Sequence, residues 1–215
     1  MRRTLAVSGY APTITRGATE GMIMYQAKDP DRLERAVARY LLKGKKQAKQ
    51  ERKYFRSLPS FHDVVRIAGA GNIREGVRHE HLENVDAGAL IKYRDALLDE
   101  LDALQRATVF EELYGLLWDA RIRGIGPVTV YDTAVSAGAW LRLRPDVVYL
   151  HAGTLLGARA LGVPKDAETV DVEELPETLH KFSAGQVEDI LCEYHKVRSA
   201  DFAEQRKLRR ERRHI

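Results

Sequence analysis

Residues 122–134 read Ile-Arg-Gly-Ile-Gly-Pro-Val-Thr-Val-Tyr-Asp-Thr-Ala and stand between two stretches whose apolar residues recur at helical spacing. Gly124 and Gly126 flank one apolar residue, Ile125, and Pro127 follows where a new helix can begin. Glycine reaches positive φ without a Cβ penalty and leaves its backbone approachable. The pattern therefore predicts a hairpin between two helices whose N–H groups, at the start of the second helix, can meet a phosphate. An ordinary turn between antiparallel helices also uses glycine, but two glycines around an apolar residue with a helix behind them are more specific than one C-cap glycine. A grip of this kind is electrostatic and indifferent to base sequence.

Helical patterns extend to both sides. Upstream, Phe110, Leu113, Tyr114, Leu117 and Trp118 form one apolar stripe. Before it, from Asp86, Leu90, Tyr93, Leu97, Leu101 and Leu104 form another, with Asp95, Asp99 and Glu100 on other faces. Downstream, Val130 to Leu141 reads as a buried helix, Arg144-Pro145-Asp146 as a turn and Val147 to Leu150 as a short extended run. Gly153 to Leu161 reads as a small-residue helix ended by Gly162, which implies close helix packing. Val170-Asp171-Val172 reads as extended, Leu175-Pro176 as a break, and Ser183 with Gln186 as a capping box opening a helix through about His195.

Nearer the start, Asp29-Pro30 caps and opens a helix running to about Leu58. Leu33, Val37, Tyr40 and Leu41 mark its apolar face. Lys43, Lys45, Lys46, Lys49, Arg52, Lys53 and Arg56 make its second half basic, with only Glu51 opposing. Tyr54 and Phe55 within that run suit base stacking beside phosphate contacts. Pro59 ends the helix, Ser60 caps a short one through Ala68, and residues 69–76, with Gly69, Gly71 and Gly76, read as a loop. No strand leads into those glycines and their spacing misses the dinucleotide-binding pattern.

Composition bounds the reading. The 215 residues are 44% hydrophobic with seven prolines, which suits one globular domain with appended arms. Three segments are expected: an N-terminal arm at 1–28, a helical domain at 29–205 and a basic tail at 206–215. The formal charge is only +4, but the basic residues cluster, six of them between Arg206 and Arg213, which favours a polyanionic partner. The single cysteine, Cys192, excludes an internal disulfide framework and any multi-cysteine metal site. With no activator legible beside it, Cys192 reads as packing, and Glu188 and Asp189 read as an ordinary amphipathic helix. The apolar run after Met1 breaks too early for an export signal, and no apolar stretch approaches the roughly 20 residues that span a bilayer. A cytoplasmic location, nucleoid-associated in a bacterium, is expected. His79 and His81, one residue apart, suit a solvent-facing strand edge and lack a third ligand in recognisable register, so no metal site is expected.

Leu117 to Gly162, about a fifth of the chain, resembles the helix-hairpin-helix core of the DNA glycosylase superfamily, which includes endonuclease III-like and alkyladenine-type enzymes. Gly124-Ile125-Gly126 matches the hairpin, Thr129 and Ala134 fall on its second helix, and Arg144 to Val147 matches the turn before the catalytic loop. Arg159 to Gly162 resembles the end of the next helix. The resemblance implies a protein that extrudes a base and cleaves its glycosidic bond, using an aspartate to stabilise positive charge developing on the sugar. Counting back from Gly162 places His151 at that position, while counting forward from the hairpin reaches Asp146. His151 is favoured because an extended apolar run precedes it, although a histidine does not supply the same negative charge. Bifunctional members carry a lysine nucleophile where Val128 stands here, so lyase activity is not expected. The iron–sulfur loop of some members is impossible with one cysteine, and no cofactor is expected.

The expected fold is mostly α, two-lobed, around the helix-hairpin-helix unit. The expected function is duplex DNA binding, with monofunctional base excision by atypical residues as its enzymatic extension. Gly124, Gly126 and Thr129 are assigned to phosphate, Lys45, Lys46, Lys49, Arg52 and Lys53 to other backbone contacts, and His151, Asp146, Tyr149 and Thr154 to the chemistry. The alternatives are a non-enzymatic nucleic-acid-binding module and a basic protein-interaction subunit.

Overall fold

The computed structural model describes residues 24–211 and is mostly helical. Nine α-helices are described: α1 (Pro30–Arg39), α2 (Lys45–Arg56), α3 (Phe61–Ala68), α4 (Ala87–Asp99), α5 (Leu101–Gln105), α6 (Phe110–Asp119), α7 (Pro127–Leu141), α8 (Ala152–Leu161) and α9 (Ala184–Glu211). Two antiparallel strand pairs accompany them, β1 (Asn72–Arg74) with β2 (Val77–Arg78) and β3 (Val148–Tyr149) with β4 (Thr169–Val170). The chain divides into two compact units. One holds Ala48–Pro145, and the other holds residues 24–47 together with those from Asp146 onward.

The first unit is built around α7. Helices α3 and α6 pack on it, and α4 packs on α3. Phe110, Leu113, Tyr114 and Leu117 of α6 are buried with Val130, Tyr131, Ala134 and Ala137 of α7. Tyr93, fully buried on α4, donates its hydroxyl to the Leu117 carbonyl at 3.0 Å, so the one polar atom of that ring is satisfied inside the core. Burial pushes this phenol far above its ordinary value, which keeps it a neutral donor. Ser60 and Asp86 cap α3 and α4 by accepting the N–H of Asp63 and Ala89 at 3.1 and 2.8 Å. The 69–76 segment is not a plain loop: Gly76 at φ 70° turns β1 into β2, and a two-toothed Arg66–Glu75 pair, at 3.0 and 2.7 Å, holds the turn to α3.

The second unit packs α1 and α8 against α9, beside the β3–β4 pair, whose register is Val148 to Val170 and Tyr149 to Thr169. Leu33, Val37 and Tyr40 join Val148, Leu161, Val187, Leu191 and Tyr194 in its core. Asp29 accepts the Arg32 N–H at 3.1 Å, and Pro30 opens α1 as expected. Leu41 does not share the buried face. The ladder widens into a π turn over Tyr40–Gly44, and its extra residue leaves Leu41 46% exposed. Gly44 is needed there, since a Cβ would meet the buried Tyr40 ring at 2.8 Å. Helix α9 continues beyond His195 to Glu211, so the first residues of the expected tail are helical. The last four residues of that tail and residues 1–23 of the expected arm lie outside the described residues. Tyr25, at the arm's end, donates its N–H to the Glu174 carbonyl at 2.8 Å and packs on the core of the second unit.

Candidate functional site

The hairpin forms between α6 and α7 in the first unit. Gly124 has φ 96°, a conformation that strains any side chain, and Ile125 tucks inward at 6% exposure while its N–H bonds the Ile122 carbonyl at 3.1 Å. Gly126 is the N-cap of α7 at φ −100° and ψ 177°, ordinary extended backbone. A Cβ built on it meets no atom within 4 Å. Neither its dihedrals nor its packing require glycine, so the open space on this backbone is what the missing side chain provides. No side chain caps α7, and Pro127 contributes no N–H. Val128 and Thr129 therefore carry the first-turn donors that a helix leaves without intrahelical partners. Thr129 as a whole is 1% exposed, so the phosphate contact expected of it does not hold, and the half-buried Gly126 and Val128 are left to offer backbone N–H groups.

Helix α2 of this unit meets α7 at the end away from the hairpin, where Arg56 Nε donates to the Ala139 carbonyl at 3.1 Å, and carries basic side chains. Lys49 and Lys53 of α2 are exposed and Arg52 is half-buried; they lie at i, i+4 and i+3 on one face. Lys45 and Lys46, also exposed, belong to the first turn of α2 and to the second unit. The stacking expected of Tyr54 and Phe55 does not hold for Phe55. It is 1% exposed, with its ring edge-on to Tyr54 at 5.4 Å, and the Tyr54 hydroxyl accepts the Glu75 N–H at 3.0 Å. An apolar ring surrounded by cations in sequence still found the core, because α2 buries the face opposite its lysines.

The residues expected to carry chemistry lie in the second unit, where His151 and Thr154 meet on one carboxylate while Asp146 stands exposed. Asp146 is exposed in the turn before β3 and makes no side-chain hydrogen bond or ion pair among the described residues. Tyr149 is buried on β3. His151, 8% exposed, is the N-cap of α8, and Ala152 after it takes φ 41°, a left-handed conformation that costs a non-glycine residue about 1–3 kcal/mol. His151 Nε2 lies 3.8 Å from Oε1 of Glu188 on α9, and the buried Thr154 hydroxyl donates to that same oxygen. A carboxylate, an imidazole and a hydroxyl thus converge inside the unit.

Glu188, which the sequence places on an ordinary amphipathic helix, is 8% exposed. Its register on α9 signals that burial. It follows Ala184 by four residues and precedes Leu191 by three, which places it on the stripe that α9 buries. Cys192, one turn on, is half-buried with its Sγ 3.0 Å from where a Cβ on Gly153 would sit. Burial pushes its thiol up to about 11, so it is protonated at neutral pH, in keeping with a packing role.

The two histidines outside this cluster are not isolated. His79 and His81 face Asp132 of α7, with His79 Nδ1 and His81 Nδ1 at 3.8 and 3.9 Å from Asp132 Oδ2. A third group able to act as a ligand, absent from the local register, comes from α7, which adjacent-residue spacing does not reveal.

No helix among the described residues is long and apolar enough to cross a membrane. Comparison with protein-family models, curated proteins and solved structures finds no match for this chain.

Proposed function

We propose that the chain binds duplex DNA through the α6–α7 hairpin, on a scaffold of the glycosylase helix-hairpin-helix kind. The observation that carries this reading is the α7 N-terminus. It has no side-chain cap, carries a positive dipole end, and stands behind a glycine whose side-chain space is empty. Lys49, Arg52 and Lys53 of the same unit supply cations for neighbouring phosphates, and Lys45 and Lys46 continue the basic run. The grip reads backbone and no base edge, so affinity is expected to depend on salt and little on sequence.

Fluorescence anisotropy with a labelled duplex tests it. Binding at low salt, with log K falling linearly in log salt and the slope shrinking by about 0.9 for each phosphate-contacting cation replaced, supports the reading. Absence of low-salt binding overturns it and leaves the protein-interaction alternative.

A second reading, base release from an extruded nucleotide, is favoured by one observation: the strained Ala152 joins His151 to α8 beside a buried carboxylate. In that reading Glu188 supplies the negative charge that His151 lacks. A screen of modified duplexes for released base, with Glu188→Gln expected to slow release by at least about 100-fold without weakening binding, tests it. Duplex binding with no release from any substrate leaves the non-enzymatic module, in which Glu188 ties α8 to α9.

A further inference from the structure

We propose that His79, His81 and Asp132 form a binding site for a divalent transition-metal ion of the Zn²⁺, Co²⁺ or Fe²⁺ kind. This inference goes beyond the DNA-binding reading and does not rest on it.

Three donor types suited to such ions meet here. One ligand atom from each residue lies within 4.8 Å of the other two. The two imidazole rings sit 4.6 Å apart at 44°, converging on a carboxylate anchored by α7. A four-coordinate ion with bonds of about 2.0–2.2 Å holds its donors about 3.3 Å apart. The His Nδ1 to Asp132 Oδ2 separations of 3.8 and 3.9 Å are within about 0.6 Å of that spacing, and side-chain rotation of the exposed His81 adjusts the third separation, which is within 4.8 Å.

His81 turns Nδ1 to Asp132, while its other nitrogen, Nε2, lies 3.8 Å from Glu80 Oε1. That distance is too long for a hydrogen bond, but the exposed Glu80 can rotate to accept from Nε2 when Nδ1 binds an ion, as carboxylates do behind ligating histidines. His79 Nδ1 accepts the exposed His81 N–H at 3.2 Å. An ion at that nitrogen displaces this bond, and solvent can take over the released N–H.

The donor set selects the ion class. Two imidazoles and one carboxylate suit borderline transition metals, whereas Ca²⁺ and Mg²⁺ take oxygen donors. Three protein ligands leave at least one position for water or an anionic oxygen, the arrangement of exchangeable rather than closed structural sites. The side-chain exposures, 18% for His79, 37% for His81 and 16% for Asp132, give an ion a path from solvent.

The test uses full-length protein stripped with a chelator and dialysed against Zn²⁺, with Co²⁺ as the spectroscopic probe. One Zn²⁺ per chain, a Co²⁺ visible band, and resistance to a large excess of Mg²⁺ are expected. His81→Ala and Asp132→Asn should weaken binding by more than about 100-fold, since loss of an outer-shell partner alone costs about 10–100-fold. His62→Ala, at an exposed histidine of α3, should bind as the parent does. His81 is exposed and Asp132→Asn is isosteric, and circular dichroism melting confirms that each variant folds. No stoichiometric binding, unchanged affinity in both ligand variants, or displacement by Mg²⁺ overturns the proposal.

Discussion

Gly124 and Gly126 are glycines for different reasons. At φ 96°, Gly124 is glycine for the fold, so Gly124→Ala is expected to destabilise the chain by about 1 kcal/mol or more, read as a lower melting temperature. Gly126 has ordinary dihedrals and empty space around its Cβ position, so alanine there is expected to leave stability unchanged. Cys192 makes a pH statement. Its thiol moves from 9.0 to about 11 on folding because burial disfavours the thiolate. Between those values the unfolded chain releases a proton that the folded chain retains, so this group's contribution to stability is full below about pH 9 and falls toward pH 11. Alkylation of the native protein should therefore be slow at neutral pH and accelerate as pH approaches 11; rapid modification at pH 7 would contradict the burial. Single residues were legible where local chemistry dictates them, as with Gly124. The register of Glu188 marks it as buried, but its partners, like those that join His79 and His81 to Asp132, lie far along the chain, where spacing reports nothing.

Elements were legible in their starts and stripes. Asp29 and Ser60 cap the helices as their sequence positions announced, Asp86 caps the helix whose pattern starts from it, and of the capping box expected at Ser183 one half forms, its N–H donating to Gln186 at 3.0 Å. Asp86→Ala is expected to cost about 1 kcal/mol, measured by denaturant melts. The small-residue run of α8 has its explanation in Gly157: a Cβ there would fall 2.1 Å from the Leu191 carbonyl oxygen, so α8 and α9 meet backbone to backbone. Gly157→Ala should destabilise by at least about 3 kcal/mol, the upper end of overpacking costs, and thermal melts check it. The π turn at Tyr40–Gly44 and the β1–β2 pair were not legible. The first follows from seating the Tyr40 ring over Gly44, and the second is too short to alternate visibly.

At the scale of the chain, the mostly helical class followed from periodicity, whereas two lobes were expected only through the resemblance and nothing in the sequence placed the boundary between the two compact units. That division falls within α2, inside one continuous helical pattern, so no composition shift marks it. The mild net charge of +4 understates the basic runs, and their arrangement decides what partner fits. Replacing Lys49, Arg52 and Lys53 together by alanine is expected to reduce the salt slope of duplex binding by up to about 2.7, at about 0.9 per phosphate contact.

The proposed grip at the hairpin is tested most directly by the duplex affinity of Gly126→Ala beside the parent protein, with melting temperatures recorded for both. A Cβ at this position blocks phosphate from the α7 N–H groups without touching the protein itself. The expected result is an unchanged melting temperature with affinity reduced about tenfold, the scale of one hydrogen bond to a charged group. Equal affinity in the two proteins would contradict a phosphate grip at this hairpin.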